Sequence, residues 1–327
     1  MAAQLVHRRI GLTGVSVPNI AFGMAPIGNM PATYGHGIDD EHARAVVRAV
    51  FDSPINCLDV SRNYGLGRAE ARIGEVIKER GGPPKDFIIA TKLDRDNDTN
   101  RFDGDQARRS LEASLRALNL DKVQILHLHD PEYAADIAAV NGTGGAAETL
   151  FKLKEEGLAD AVGLAAGRVD VMAPLIDQFD FDIVLSHSRY TLVNRNADAL
   201  INQARARGMT VFNAAPYASG VLAKGSRAGA RYVYQEATEA MLAPVRAMEA
   251  VASRYDVPLG ALALQFSLRD PRITSTILGT GKVEHIQKTL DWAAIDIPEA
   301  AFADVDGIEV TRDDPEATRQ YSNDSLG

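Results

Sequence analysis

The chain has 327 residues, of which 46% are hydrophobic and 24% are charged, and its formal net charge is -9. These fractions are typical of a folded globular protein, and the acidic charge argues against a nucleic-acid partner, because phosphate backbones attract clustered Lys and Arg. The one cysteine, Cys57, lies in an apolar run, which excludes an internal disulfide and indicates a reduced, buried thiol.

The sequence contains no segment typical of membrane attachment. Residues 1–9 lack the long apolar run of a signal peptide, and nowhere do about 18 apolar residues stand together. We therefore expect a soluble, cytoplasmic protein without a membrane partner, and either a monomer or a small homo-oligomer.

Short apolar segments alternate with amphipathic segments along most of the chain. Residues 8–17 predict a hairpin that turns at Thr13 and Gly14. After the hairpin, strand-like and helix-like periodicities alternate. The predicted strand and helix pairs are 20–23 and 40–51, 55–59 and 69–80, 87–92 and 105–118, 123–129 and 144–156, 161–164 and 169–176, 183–186 and 197–207, 210–214 with 241–255 and 259–267, and 276–279 and 283–293.

The count of about eight strand–helix units predicts an α/β fold, a closed (β/α)8 TIM barrel with a short N-terminal hairpin. An open doubly wound sheet is the alternative, but the first strand is not followed by the G-x-G-x-x-G turn of a dinucleotide-binding sheet. No domain boundary is visible, so we expect one domain over residues 1–327. Residues 311–327 are polar and predict either a flap or a frayed tail.

Four side chains capable of proton transfer fall at the predicted strand ends. Asp59, Lys92 and His129 end the second, third and fourth strands, and Tyr64 lies on the loop after Asp59. In a parallel barrel these ends meet at one mouth. Lys92, held charged by Asp59, favours ionisation of the phenol, and His129 can share its proton. Such a group would exchange a proton with a hydroxyl or carbonyl oxygen while a nicotinamide exchanges hydride with the carbon.

Other readings of the polar residues remain as alternatives. His127 precedes His129 by two residues, so both face the barrel interior, and we expect His127 to be a hydrogen-bonded core residue rather than half of a zinc site. Residues 94–105 have the carboxylate spacing of a calcium loop but lack its glycine and its final glutamate. We therefore expect no metal. Side chains that either line a substrate pocket or pack elsewhere are Met24, Tyr190, Tyr217, the 94–103 loop and the tail.

Four segments in this order resemble the aldo-keto reductase superfamily. They are LDVSRNYG at 58–65 with Glu70, ATK at 90–92, ILHLHDP at 125–131 and ILGTGKV at 277–283. The resemblance covers almost the whole chain. It implies a barrel enzyme that binds an extended nicotinamide cofactor and uses Asp59, Tyr64, Lys92 and His129 as its catalytic residues.

Three further segments resemble one branch of that superfamily, the sugar dehydrogenases that act on L-fucose and other D-threo-aldoses. They are HDPE at 129–132, SRYTL at 188–192 and NAAPYASGVL at 213–222. The resemblance implies oxidation of an aldose at C1 to the lactone, with Tyr64 as general base. The alternatives are a pyridoxal 4-dehydrogenase, a general aldehyde or ketone reductase, and a cofactor-binding regulatory subunit.

The same resemblance implies the cofactor contacts. Where many members place Lys and Arg around a 2′-phosphate, this chain has Gly279 and His285, and Glu284 lies beside Lys282, the one definite cation there. This favours NAD, with NADP as the alternative. His187 stands where the family often has a glutamine for the nicotinamide amide. The expected cofactor contacts are Gly23, Met24, His187, Asn213, Ala215, Pro216, Ser219, Gly220, Leu222, Ile277, Gly279, Thr280, Lys282, His285 and Lys288.

Overall fold

The computed structural model describes residues 5–227 and 230–319. Within these residues, eight parallel strands form a closed barrel, and a separate antiparallel hairpin precedes them. The predicted (β/α)8 barrel and its N-terminal hairpin are therefore confirmed. The strands are β1 (His7–Arg9) and β2 (Ser16–Pro18) of the hairpin, β3 (Ile20–Gly23), β4 (Cys57–Asp59), β5 (Ile88–Leu93), β6 (Val123–His129), β7 (Ala159–Ala166), β8 (Ile183–His187), β9 (Thr210–Ala214), β10 (Arg231–Tyr232), β11 (Gln235–Glu236) and β12 (Ser275–Gly279).

The barrel closes between its last strand and its first. Strand β12 pairs with β3 through Thr276 and Ile20, and with β9 through Ile277 and Ala214. Strands β10 and β11 form a small antiparallel pair outside the barrel. The ends of β4, β5 and β6, where Asp59, Lys92 and His129 are predicted, therefore lie at one mouth of the barrel.

Helices cover the outside of the barrel. The bounds of the predicted helices and barrel strands agree with the structure to within two residues, whereas the short elements inside the loops were not predicted because they have no periodicity to read. The helices are α1 (Pro31–Tyr34), α2 (Asp40–Phe51), α3 (Arg68–Arg80), α4 (Gly104–Leu118), α5 (Ile137–Asn141), α6 (Ala146–Glu155), α7 (Val169–Gln178), α8 (Asp198–Ala206), α9 (Val221–Lys224), α10 (Glu239–Arg254), α11 (Leu259–Arg269), α12 (Glu284–Ala294) and α13 (Glu299–Asp306).

Local sequence sets the start of α2 and the end of α3, the helices before and after β4. The side chain of Asp39 caps α2 by accepting from the backbone N–H of His42, and α3 ends at Gly81, whose φ of 74° is open to glycine without a steric cost. Apolar residues at helical spacing on both helices pack against the barrel, and Arg44 and Arg48 of α2 pair with glutamates of α3 on the outside. The two helices thus hold the strand between them in place.

Alternation along the strands divides the core into two layers. On β5, Ile88, Ala90 and Lys92 point into the barrel, while Ile89 and Leu93 pack outward against the helices. The inner layer is built of small and medium side chains at its base and gives way to polar side chains toward the mouth. The functional groups therefore lie directly on top of the barrel core.

The described part of the polar tail is attached to the loop after β8. The buried guanidinium of Arg189 donates to Asp314 and to Glu316, each at 2.7 Å, and the amide of Asn194 donates to the carbonyl of Asp313. Residues 311–319 consequently run along the mouth of the barrel. The rest of the predicted tail, 320–327, lies outside the described residues.

Candidate active site

The loop after β4 carries Tyr64, and its backbone is pressed against the turn after β3. A side chain on Gly65 would overlap the carbonyl oxygen of Gly28, and a side chain on Gly28 would lie 2.8 Å from the carbonyl carbon of Tyr64. Arg68 ties the same two segments by donating to the carbonyl oxygens of Gly28 and Asn29. Gly28, Gly65 and Arg68 thereby fix the position of the Tyr64 backbone above the barrel.

The four predicted catalytic side chains come together on the wall of one cavity of about 460 Å³. The ammonium of Lys92 donates to Asp59 at 2.6 Å, to the carbonyl of Val60 at 2.8 Å and to the hydroxyl of Tyr64 at 3.2 Å. The rings of Tyr64 and His129 meet edge to face with centroids 5.9 Å apart. Lys92 is only 1% exposed, so its contacts with Asp59 and Tyr64 are made away from water.

The pKa of Tyr64 differs from the sequence-based expectation. Burial raises the pKa of the phenol well above 10, and the negative charges of Asp59 and Asp130 raise it further. The ammonium of Lys92 does not outweigh these effects, because it is paired with Asp59 at 2.6 Å. Tyr64 is therefore a neutral phenol that holds its proton until another positive charge arrives beside it.

His129 is bonded to a carboxylate that the sequence analysis did not assign. Its Nδ1 lies 2.5 Å from Asp94 and 3.2 Å from the hydroxyl of Ser61, and its Nε2 lies 3.5 Å from Asp130. Burial lowers the pKa of His129, but the charges of Asp130 and Asp94 outweigh it and the net direction is upward. Asp94 follows Lys92 by two residues, so strand alternation is the signal that could have found it.

His127 is buried beneath His129, as expected. Neither of its ring nitrogens has a hydrogen-bond partner within the described residues, so the expectation of a hydrogen-bonded side chain is not met. Burial and the charge of Lys92 lower its pKa well below 6.5, and it is neutral. Gly163 makes room for this ring, since a side chain there would lie 2.5 Å from Nδ1. His127 fills space under the four predicted catalytic side chains.

Loops supply the mouth of the cavity. Of the side chains proposed for a substrate pocket, Tyr217 and the tail residues Glu316 and Arg319 lie on its wall, whereas Met24, Tyr190 and the 94–103 loop do not. The hydroxyl of Tyr190 instead donates to Asp270 outside the barrel. Aromatic and polar side chains that the sequence analysis did not assign complete the wall: Tyr34, His36, Tyr133, Asp130, Tyr234 and Trp292.

The described residues contain neither a metal-binding cluster nor a membrane-spanning helix. No three His, Cys, Asp or Glu side chains in ranges 5–227 and 230–319 are grouped so that they could hold a metal ion. None of the helices in the same ranges is long and apolar enough to cross a membrane.

Comparison with known proteins identifies the family. Residues 19–310 match the sequence profile described as the Aldo/keto reductase family. The chain belongs to this family. A D-threo-aldose 1-dehydrogenase from Pseudomonas sp is 28% identical over 89% of this chain and 94% of its own length, and an L-galactose dehydrogenase from Arabidopsis thaliana is 29% identical over 86% of each. A holo aldo-keto reductase from Bacillus halodurans superposes with a TM-score of 0.75 at 20% identity, covering 97% of this chain and 100% of that one.

An aldo/keto reductase is an oxidoreductase that uses a nicotinamide cofactor, and this chain is one. Many of the predicted cofactor residues lie on the cavity wall. These are Gly23, His187, Ala215, Ser219, Gly220, Ile277, Gly279, Thr280, Lys282, His285 and Lys288. Their contacts with the cofactor stay a prediction.

Four predicted cofactor residues of this reductase do not line the cavity. On β9, Phe212 and Ala214 face the barrel interior, so Asn213 faces outward, and its amide donates to Tyr190 and to Ser267. Met24 packs in the outer layer for the same reason of alternation. Leu222 packs in a separate core under α10 and α11, and Pro216 is buried beside it in the loop after β9.

One end of the reductase cavity is more positive than the sequence analysis expected. Lys282 and Lys288 are among the expected cofactor contacts, and the described wall also carries Lys224. Burial lowers the pKa of His285, and Glu284 opposes this while the three lysines add to it, so His285 is neutral. Positive side chains around glycine backbone fit the diphosphate of a dinucleotide, and the buried, unpartnered Nδ1 of His187 fits a nicotinamide amide at the other end.

Proposed function

We propose that this reductase is an aldose 1-dehydrogenase that uses NAD to oxidise a sugar such as L-fucose, or another D-threo-aldose, at C1 to the lactone. The observation that carries the proposal is the hydroxyl of Tyr64, held 3.2 Å from the Lys92 ammonium on a cavity wall shared with His129. The relatives that act on D-threo-aldoses and L-galactose support the substrate class.

Tyr64 is the group that moves the proton. It accepts the proton of the C1 hydroxyl while the C–H bond at C1 gives up its hydride, and the carbon becomes the lactone carbonyl. A bound oxidised nicotinamide supplies the hydride acceptor and a positive charge. A positive charge beside the phenol would lower the pKa of Tyr64 from its raised value, so the hydroxyl would first release its own proton to solvent and the phenolate would then accept the proton of the C1 hydroxyl.

Lys92 and Asp59 stabilise the ionised form of the Tyr64 phenol. Lys92 stabilises the phenolate that forms, because its ammonium lies within hydrogen-bond distance of the Tyr64 hydroxyl. Asp59 pairs with the buried Lys92 ammonium at 2.6 Å and so holds it beside the Tyr64 hydroxyl. His129, whose ring meets the Tyr64 ring edge to face, would bond the same substrate oxygen.

The mouth of the cavity suits a compact polyol. Its aromatic rings provide faces for the apolar side of a sugar, and its carboxylates and guanidinium provide partners for hydroxyl groups. Asp130 and Glu316 both line the cavity, and Arg319 pairs with Glu316. A substrate with several hydroxyls uses these groups better than an apolar aldehyde does.

The choice of NAD rests on the adenosine end of the cavity. His285 is neutral, and Lys282 lies 3.9 Å from the carboxylate of Glu284, which weakens its pull on a 2′-phosphate. Lys224 and Lys288 act in the opposite sense and keep NADP as the alternative. A second candidate substrate is pyridoxal, because its planar ring fits among the tyrosines of the mouth and one relative, 25% identical, is a pyridoxal 4-dehydrogenase.

The test is the initial rate of nicotinamide reduction, measured with NAD and with NADP in parallel. The panel contains L-fucose, D-arabinose, L-galactose and pyridoxal, with D-fucose as a stereochemical control. A rate with NAD on the D-threo-aldoses alone supports the proposal. No nicotinamide reduction with any oxidisable substrate, together with turnover of aldehydes by reduced NADP, would refute both the proposed direction of the reaction and the proposed choice of NAD.

A further inference from the structure

Asp94 is a buried carboxylate that bonds both His129 and the loop that carries Tyr64. It is 1% exposed and lies one residue past the end of β5, two residues after Lys92. One oxygen lies 2.5 Å from Nδ1 of His129, and the other accepts from the Ser61 hydroxyl at 2.7 Å and the Asn63 backbone at 3.0 Å. Ser61 and Asn63 belong to the loop that carries Tyr64, so one carboxylate joins the tyrosine loop to the histidine.

These contacts keep Asp94 ionised. Burial raises the pKa of Asp94, but the charge of His129 and the hydrogen bonds from His129 and Ser61 outweigh burial, and the net direction is downward. An ionised carboxylate has no proton to give, so the proton between Asp94 and His129 belongs to Nδ1 of the ring. The tautomer of His129 is thereby set from outside the cavity.

The other ring nitrogen of His129 points toward a second carboxylate. Nε2 lies 3.5 Å from the carboxylate of Asp130. The backbone of Asp130 has a φ of 44°, which is uncommon for residues other than glycine. A ring with an anion at each nitrogen is stabilised as the doubly protonated imidazolium. The charged or titratable groups that face His129 come from four strands and the loops that follow them. They are Lys92 and Asp94 from β5 and its loop, Asp59 and Tyr64 from β4 and its loop, His127 and Asp130 from β6 and its end, and His187 from β8.

We propose that Asp94 is a positioning residue that holds the proton on Nδ1 of His129 and keeps the ring doubly protonated, so that Nε2 donates a hydrogen bond to the substrate oxygen at the reacting carbon. The inference rests on the proposed function for the identity of that oxygen. The protonation state of His129 itself does not depend on the proposed function and is measurable without substrate.

The decisive experiment is nitrogen NMR of the full chain with labelled histidine side chains, titrated over pH. The His129 signals are assigned from their loss in a His129→Gln variant. In the unmodified protein we expect both ring nitrogens to be protonated at neutral pH, with a midpoint above the ordinary value of about 6.5. A neutral ring protonated on Nε2 would overturn the proposal outright, with no variant needed.

The Asp94→Asn variant tests the carboxylate itself. Asparagine has the same shape without the charge, so the midpoint of the His129 titration should fall by about 1 to 3 pH units. Asp98→Asn is the matched control, because Asp98 lies in the same loop, is exposed and does not line the cavity. An unmoved midpoint in a folded Asp94→Asn protein would refute the role of Asp94.

A kinetic arm separates this inference from the proposed function. Asp94→Asn should lower kcat about 100-fold through the misplaced ring while leaving the KM for the cofactor unchanged. A purely structural role for Asp94 would lower the melting temperature without moving the titration. Failure of every substrate in the panel would refute the proposed function, whereas a working enzyme with an unmoved His129 midpoint would refute only this inference.

Discussion

Replacing Gly65 with alanine tests how the loop after β4 positions Tyr64. A Cβ on Gly65 would overlap the carbonyl oxygen of Gly28 and lie 2.6 Å from its carbonyl carbon. Both are backbone atoms that cannot rotate away, so overpacking should cost about 1–3 kcal/mol. The positive φ of 66° adds about 1 kcal/mol for a residue with a side chain. We expect a total loss of about 2–4 kcal/mol in the free energy of unfolding.

The same substitution should also impair turnover, because relief of the overlap moves Tyr64 away from Lys92. A displacement of about 1 Å is expected to cost about 100-fold in kcat. The assays are urea unfolding followed by circular dichroism, and initial rates with the best substrate of the panel. Gly14→Ala is the control, because Gly14 has a φ of 81° but no neighbouring atom within 4 Å of the added carbon.

The control should lose only the backbone cost of about 1 kcal/mol and retain its activity. Equal losses of stability in the two variants, or full turnover by Gly65→Ala, would refute the account of the loop.

Three further predictions follow from individual side chains. Asp59→Asn leaves the buried ammonium of Lys92 without its carboxylate and should cost about 3–5 kcal/mol in urea unfolding, with loss of turnover. Burial raises the pKa of Glu70 to about 7, so its contribution to stability is present below pH 4 and lost as the pH rises through 7. Glu70→Gln should therefore gain up to about 3 kcal/mol relative to the unmodified protein between pH 4 and 8 in urea titrations. Glu284→Gln should raise the rate ratio of NADP to NAD about two- to fivefold, a small effect because water screens an exposed charge, whereas Asp291→Asn on the same helix should not.

The sequence was sufficient to predict the barrel and the four residues at its strand ends. Alternating periodicities located the strands, and in a parallel barrel the end of a strand is also the place where side chains converge, so Asp59, Lys92 and His129 could be placed together. Tyr64 followed because its loop is short and starts at Asp59. These features can be read from the local sequence without knowledge of how the segments pack.

The remaining parts of the site depend on contacts between distant segments. Asn213 is expected at the cavity from family resemblance, although its position in β9 turns it outward. Asp94 is expected only as part of the 94–103 loop, whereas it lies one residue past β5 and bonds His129. The mouth residues Tyr133 and Tyr234 lie on loops without periodicity, so nothing in the local sequence marks them. The raised pKa of Tyr64 reflects burial by the whole fold.

The central claim is that Tyr64 transfers the proton, and Tyr64→Phe tests it most directly. The variant keeps the ring and removes only the side-chain hydroxyl that lies 3.2 Å from the Lys92 ammonium, so the shape of the cavity is retained. We predict that kcat falls by about 100- to 10,000-fold while the dissociation constant for NAD, measured by protein fluorescence, stays the same. Turnover within a few-fold of the unmodified enzyme would contradict the account.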